Sequence, residues 1–528
     1  MTASTTPIWI TATPPTADGE LHLGHLAGPY VAADVLRRFL RSDGRPARLT
    51  GAIDQFDTAV QLCALVQGRK AEEVADGYAE SITVDWQRAG VEFDDLPQPL
   101  GEAGYRLHVQ DLLAKLHADG VVVARSRLLP YCQPCDRWLH GVLVTGGCPY
   151  CGAPARGNVC QSCARPNDCG DLLDPACVLC GTPAQLRQCR RLYLPLEAHR
   201  DRLLEFWAVT PMPPRLSVLC EQLTRDGLAE LAVSHPADWG IEVTVPEFED
   251  QRIDSRFEHA AAHVLAAHRT TEPPVGSLQF FGYDHAHLQV VVLPALLGCL
   301  GLPAPTGYRV NDFYHYQGRK MSTGQRHAVW ALDALTDAGS DALRRHVLSG
   351  RPLGRPADFV PEELDHARQF LDDTWNPWLT RLFAALREDC HGLVPEARAG
   401  GTGWVYLHDR LSGTVAELRT AYDIETFDPR RAIALLDEAV RLVTDFQLVN
   451  AYERDRVGGR ECYRAALAAQ LAVARALAAW AWPAMPEGAA RLARALGDRP
   501  GGPVAPDALE PPRPGTRLAP PTGPVFGF

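Results

Sequence analysis

The chain has 528 residues and a formal net charge of −12, from 52 Lys and Arg against 64 Asp and Glu. That length is too great for one compact core and predicts two to four domains, while the acidic balance argues against a broadly basic nucleic-acid binder, a local patch aside. No N-terminal apolar run has the make-up of a signal peptide and none reaches membrane-spanning length, so the expectation is a soluble, cytoplasmic protein with no membrane partner.

In chain order, Ile8 to Thr13 is apolar and β-prone, then gives way to Pro, Asp and Gly. His22-Leu23-Gly24-His25 next opens an apolar-periodic run to about Leu40, which reads as strand, tight loop and helix. A helix start offers free N–H groups to phosphate, and Gly24, without a Cβ, lets a base or ribose approach. His22 and His25 can donate to a phosphate as its charge grows in a transition state. The tetrapeptide alone fits a solvated helix start equally well. A short β-like segment, Pro46 to Thr50, leads to Asp54, at the strand end where parallel α/β sheets bind ligands; a turn or helix-cap role is the alternative. Ala59 to Leu116 reads as amphipathic helices.

Ten of the fifteen cysteines fall between Cys132 and Cys189. Four Cys-x-x-Cys pairs stand out: Cys132 and Cys135, Cys148 and Cys151, Cys160 and Cys163, Cys177 and Cys180. Each pair turns two thiolates toward one ion, and two such knuckles complete a tetrahedral S4 site, so two structural zinc ions are predicted. Cys169 and Cys189 are left as packed thiols. Further on, Gly318 to Gly324 is a glycine-flanked basic loop carrying Lys320, Met321 and Ser322, able to close over a phosphate and neutralise it. From about Pro361 to Leu496 nearly everything is helical, and a Pro/Gly-rich end follows.

HLGH together with KMSTG resembles the HIGH and KMSKS motifs of class I aminoacyl-tRNA synthetases, and the intervening text is similar to the methionyl branch over essentially the whole chain. The resemblance implies an α/β fold: a Rossmann-type parallel sheet split by a zinc-knuckle insertion, followed by an all-α helix bundle. It divides the chain into the first catalytic half (1–125), the insertion (126–190), the second catalytic half (191–345), an anticodon-binding-like bundle (346–496) and a tail (497–528) docked through Val525, Phe526 and Phe528. It implies ATP with Mg2+, adenylate formation helped by His22, His25 and Lys320, and ATP contacts from Gly24, Gly282, Asp284, Met321 and Ser322. Asp54 would hold the amino acid's α-ammonium and Asp284 the ribose. It also implies nested zinc pairing, with Cys148, Cys151, Cys160 and Cys163 in one site and Cys132, Cys135, Cys177 and Cys180 in the other.

The chain departs from that branch where the amino-acid side chain would sit. Pro14 and Thr16 stand in place of a Leu-Pro-Tyr stretch, Arg256, His259 and His263 replace an apolar, aromatic segment, and His285 and Gln289 follow a Gly-Tyr-Asp in place of Gly-Lys-Asp. A thioether is best held by apolar walls, and each unsatisfied buried polar group costs about 1–3 kcal/mol. The expected substrate is therefore a polar or acidic amino acid, with Arg256 as the candidate carboxylate partner. The second KMSKS lysine is replaced by Thr323, and the bundle lacks a clear basic, aromatic face for reading single-stranded bases. Three readings follow: a tRNA ligase, a paralogue passing the acyl group to a small-molecule acceptor, or a non-catalytic module. The intact motifs oppose the third. The second resembles the synthetase-like parts of hydrazine synthetases, in which a cupin-type partner would have to be supplied separately.

Overall fold

The computed structural model describes residues 7–269 and 275–527. Its centre is a four-stranded parallel sheet in the order Gly307–Asn311, Ser277–Gly282, Ile8–Ala12, Ala47–Thr50. Ile10 and Leu49 are fully buried, as strands covered on both faces require. With all strands parallel, their carboxyl ends share one edge, and Asp54, Asp284 and Asn311 gather there.

The expected single helix after the first strand is interrupted. Leu23–His25 is followed by a π turn over Leu26–Tyr30 and then by the helix Val31–Ser42. Pro29 has no N–H to donate, and Gly28 takes a non-helical ψ of −117°. The Asn311 amide packs where a Cβ on Gly28 would lie, 3.0 Å away. The bend therefore seats the histidine turn against the end of the outer strand.

The cysteine-rich region is carried on two antiparallel arms, Val123–Cys132 and Gln185–Leu194, which reach past the 126–190 limits expected for it. At their far end Val144–Gly147 pairs with Pro154–Arg156 and Leu173–Cys177. The insertion also leans back on the catalytic body: Gly141, at φ 53°, leaves room for the Thr58 side chain, whose hydroxyl accepts from the Val142 N–H at 3.1 Å.

The C-terminal half packs helices Pro361–Phe370, Asn376–Cys390, Trp404–Tyr422, Pro429–Asn450, Arg460–Trp480 and Pro486–Ala495. Arg344, fully buried, joins this bundle to the sheet region: it pairs with buried Asp34 at 2.8 Å and donates to the carbonyls of Ala89, Pro483 and Ala484. Near the chain end Phe526 sits edge-on to Trp375, and Asn376 accepts from the N–H groups of Val525 and Phe526. Phe528, expected to share this anchoring, lies outside the described residues. Among the described residues no helix is long and apolar enough to cross a membrane.

Candidate active site

Three cavities meet at the carboxyl edge of the sheet. The first is lined by Pro14, Thr16, His22, Gly24, His25, Gly282, Asp284, His285, Lys320, Met321 and Ser322, so it collects every residue expected to touch ATP. His22 and His25 stack at 3.8 Å between ring centroids, and the His22 N–H donates to His25 Nδ1 at 3.2 Å. Burial, with the neighbouring imidazole, holds His22 well below the usual range, and burial lowers His25 to about 4. Both rings are thus neutral near pH 7, as donors to a phosphate need to be if they are to avoid stacked like charges. Gly24 serves this pair directly: the position of a Cβ there lies 2.9 Å from the His22 ring.

Lys320 reaches across from the KMSTG loop. Its ammonium donates to Asp284 Oδ2 at 3.1 Å and to Gln161 Oε1 of the insertion at 3.3 Å, and lies 3.8 Å from the Phe313 ring centre. Burial pushes the Asp284 carboxyl up, but Lys320 and His285 outweigh it and leave it at about 2. The ion pair is then formed across the whole neutral range.

The second cavity is lined by Pro14, His259, His263 and Gln289, four of the residues expected at the amino acid, among threonines, alanines and leucines; Thr16, Asp54, Arg256 and His285 line the third cavity instead. Trp9 stacks on His263 at 4.4 Å, and burial lowers that imidazole to about 3, so it is neutral. Gln289 Oε1 is buried without a hydrogen-bond partner. His259 Nε2 stands 3.1 Å from Asp54 Oδ2. Burial opposes its charge, but Asp54 and then Glu258 raise it to about 9, so it is a cation beside the carboxylate expected to hold the α-ammonium.

Arg256 does not join this cavity. It is committed to Asp254, with Nε to Oδ1 at 2.9 Å and Nη2 to Oδ2 at 3.1 Å, because Asp254 caps the helix Ser255–His268 and the guanidinium folds back over the cap. Arg256 instead lines the third cavity, beside Thr16, Asp54, His259 and His285, with its guanidinium already paired to Asp254.

Four acidic groups escaped the sequence reading. Glu258 is 1% exposed, accepts from the Tyr105 hydroxyl at 3.0 Å, and is raised to about 8 by burial and then by Asp54. Burial and Asp54 raise Asp57 to about 6, and burial and Asp57 raise Asp18 to about 7. Asp254 is held far below the carboxylate range, burial being outweighed by Arg256 and His235. The only signals in the sequence were Asp57-Thr58, a helix-cap pair, and Glu258 one step before His259; neither reveals that both fall within reach of Asp54. The third cavity opens beyond these groups, between Asp54, Asp57 and the insertion.

The eight knuckle thiols converge in two groups, Cys132, Cys135, Cys177 and Cys180, and Cys148, Cys151, Cys160 and Cys163. Sulfur separations of 3.4 and 3.9 Å in one group and of 3.8 and 3.7 Å in the other sit near the ~3.8 Å edge of a tetrahedral zinc–thiolate site. The donors therefore fit zinc. Cys169 and Cys189 stay outside both groups; Cys169 is buried and donates to Asn158 Oδ1 at 2.6 Å.

A parallel sheet whose carboxyl edge carries a paired-imidazole turn and a facing lysine loop defines a ligase of the aminoacyl-adenylate-forming kind. The family model for tRNA synthetases class I (M) matches residues 8–375, and the chain belongs to that family. It is 28% identical over 453 residues to the methionine–tRNA ligase of Thermomicrobium roseum, covering 82% of this chain and 77% of the relative. It is 26% identical over 520 residues to that of Pyrobaculum islandicum, covering 94% and 90%. Among solved structures, Mycobacterium tuberculosis methionyl-tRNA synthetase in complex with methionyl-adenylate has the same fold, with a TM-score of 0.80, 20% identity, and 99% and 100% of the two chains covered.

Proposed function

We propose that this protein activates a polar amino acid as its adenylate and passes the acyl group to a small-molecule acceptor in specialised biosynthesis of the hydrazine or natural-product type. The observation that carries this is the wall of the side-chain cavity. His263, His259 and the unpartnered Gln289 Oε1 line it, and His259 is paired with Asp54. A methionine thioether would leave the Gln289 oxygen unsatisfied at about 1–3 kcal/mol, whereas a polar side chain hydrogen-bonds to it; His263 Nε2 already has Ser277 Oγ at 3.4 Å. With Arg256 held by Asp254, a neutral polar side chain fits better than an acidic one.

In this reading ATP, with its Mg2+, spans the first cavity, its ribose on Asp284 and its phosphates against His22, His25, Lys320 and Ser322. The amino acid's ammonium shares Asp54 with His259. Its carboxylate then attacks the α-phosphorus in line, and pyrophosphate leaves beneath the Lys320 loop; positioning and charge stabilisation supply the acceleration. Each zinc, closed by four thiolates, would supply structure and no chemistry. A separate cupin-type enzyme would act on the product. The second reading, methionine–tRNA ligase charging tRNA, is favoured by the names of the relatives.

Pyrophosphate exchange across the amino acids tests the proposal. A polar amino acid is expected to support exchange at least tenfold better than methionine. Exchange that depends on methionine above all others overturns it. Labelled adenylate offered to tRNA and to small amines then separates the two acceptors.

A further inference from the structure

Arg351 is 4% exposed and meets no carboxylate among the described residues. It stands just past the helix Ser340–Ser349, and its Nη1 donates to the carbonyls of Ala27, at 3.0 Å, and of Gly28. Burial works against its charge, and the two charged groups that face it, Arg430 and Arg309, are cations and work against it as well. Burying a charge without a counterion is costly unless hydrogen bonds hold it, so the two carbonyls are what keep this guanidinium in place.

Those carbonyls belong to the bend that the histidine turn runs into. His25 leads straight into the π turn Leu26–Tyr30, where Gly28 leaves the helical region and Pro29 has no N–H to donate. Pro29 and Tyr30 line the nucleotide cavity, and the Tyr30 hydroxyl donates to the Thr13 carbonyl at 3.0 Å. Pro352, the residue after Arg351, accepts from the Asp312 N–H at 3.1 Å, and Asp312 and Phe313 line the same cavity. Arg351 and Pro352 therefore fasten two walls of that cavity, the bend and the corner after the strand Gly307–Asn311, although Arg351 itself does not line it.

We infer that Arg351 is a positioning residue for adenylate formation: by holding the Ala27 and Gly28 carbonyls it fixes the bend, and with it the stacked His22 and His25 rings, against the phosphates of ATP. The inference rests on the placement of ATP against His22 and His25 given above, and on nothing about the amino acid. Arg351 acts through the backbone and touches neither substrate. Asp54 and His259, which would meet the amino acid, stand on other elements, after the strand Ala47–Thr50 and within the helix Ser255–His268. Loss of Arg351 thus moves the imidazoles and leaves the amino-acid contacts where they are. A shift of about 1 Å at such groups is enough to cost about 10²-fold in rate.

The test is pyrophosphate exchange by the full zinc-loaded chain, with the amino acid that best supports it. Arg351→Ala is expected to lower kcat by about 10- to 100-fold while KM for the amino acid is unchanged. Ethylguanidinium, added below denaturing concentration, is expected to restore part of that kcat and to do nothing for the unaltered chain or for His25→Asn, with tetramethylammonium as the ionic-strength control. A residue that only supported the fold would lower Tm, raise KM and lower kcat together, with no rescue; that result overturns the inference, as does an unchanged kcat. If Arg351→Ala does not fold, Arg351→Met, which keeps the volume and drops the unpaired charge, decides on the same split of kcat from KM. His25→Asn separates the two levels. Full exchange in that variant removes the histidines from the chemistry and this inference with them, whereas a loss there beside an unchanged Arg351 variant overturns the inference alone. No exchange by the unaltered chain with any amino acid overturns both.

Discussion

Lys320 Nζ lies 3.1 Å from Asp284 Oδ2, so a loop more than thirty residues further along the chain closes directly onto the turn after the central strand. The same ammonium touches Gln161 of the insertion, which makes Lys320 the meeting point of three parts of the chain. Lys320→Ala is expected to lower pyrophosphate exchange by about 10²–10³-fold, the scale for removing one preorganised charge at a developing anion. Lys320→Arg keeps the charge and should recover part of it. Exchange unchanged in the alanine variant would remove Lys320 from the chemistry.

A pH signature follows from the group around Asp54. Glu258, raised to about 8, and His259, raised to about 9, both hold protons that the unfolded chain releases near 4.5 and 6.5. The native state therefore binds more protons through this window, and stability falls as pH rises: Glu258 weakens the fold between about 4.5 and 8, and the His259 contribution is lost through about 9. Thermal unfolding from pH 6 to 9 should show a falling Tm, and Glu258→Gln should flatten the lower part of that fall. On the acid side His25, lowered to about 4, and His263, lowered to about 3, lose stability as they are forced to take up protons, so the profile should be a dome.

The motif residues were legible in the sequence because each one combines a special residue type with a local spacing. His22, Gly24 and His25 mark a turn, and Lys320 marks a loop, and all four reach the same cavity. The knuckles were legible for the same reason, since two residues between thiols set their geometry locally. Long-range pairing was not legible. Arg256 looked available until its own helix cap, Asp254, claimed it, and Glu258 looked like one polar residue in an amphipathic helix until the fold brought it to Tyr105 and Asp54. The break at Gly28 and Pro29 depends on Asn311, almost three hundred residues away, so periodicity read it as continuous helix.

Metal content gives a direct check on the insertion. Two separate groups of four thiols predict two zinc ions per chain, and Cys148→Ser or Cys132→Ser should each bring the measured content down to one. Loss of both ions from either single variant would mean that the groups are coupled rather than independent. Chelation should unfold the knuckles, and because Gln161 and Asn158 link the insertion to Lys320 and Asp254, exchange should weaken as well.

At the junction between the sheet region and the bundle lies an ion pair sealed from water. Arg344 and Asp34 are both fully buried, and Arg344 also serves four carbonyls, those of Ala89, Gly90, Pro483 and Ala484. Arg344→Met leaves Asp34 with Arg38 and Arg37 but strips those carbonyls, so a loss of about 3–5 kcal/mol is expected in urea unfolding. A loss under 1 kcal/mol would show that the buried pair adds little to a junction also held by apolar packing and by the Arg45–Asp423, Arg419–Asp43 and Arg345–Asp437 pairs.

The side-chain cavity can be turned back toward a thioether by removing its polar demands. Gln289→Leu deletes the buried oxygen that has no partner, and His263→Phe keeps the stack on Trp9 while deleting two ring nitrogens. Neither change touches Asp54, Asp284 or Lys320, so the adenylation machinery stays in place. Removing the unpartnered Gln289 oxygen is worth about 1–3 kcal/mol against an apolar ligand, while His263→Phe also ends the Ser277 contact, so the double variant should gain about 10-fold in kcat/KM for methionine-dependent exchange and lose a comparable factor for the native amino acid. The reciprocal change is the informative part: a gain for methionine with no loss for the polar substrate would mean that the native side chain never reaches these residues, and that the cavity wall does not select it.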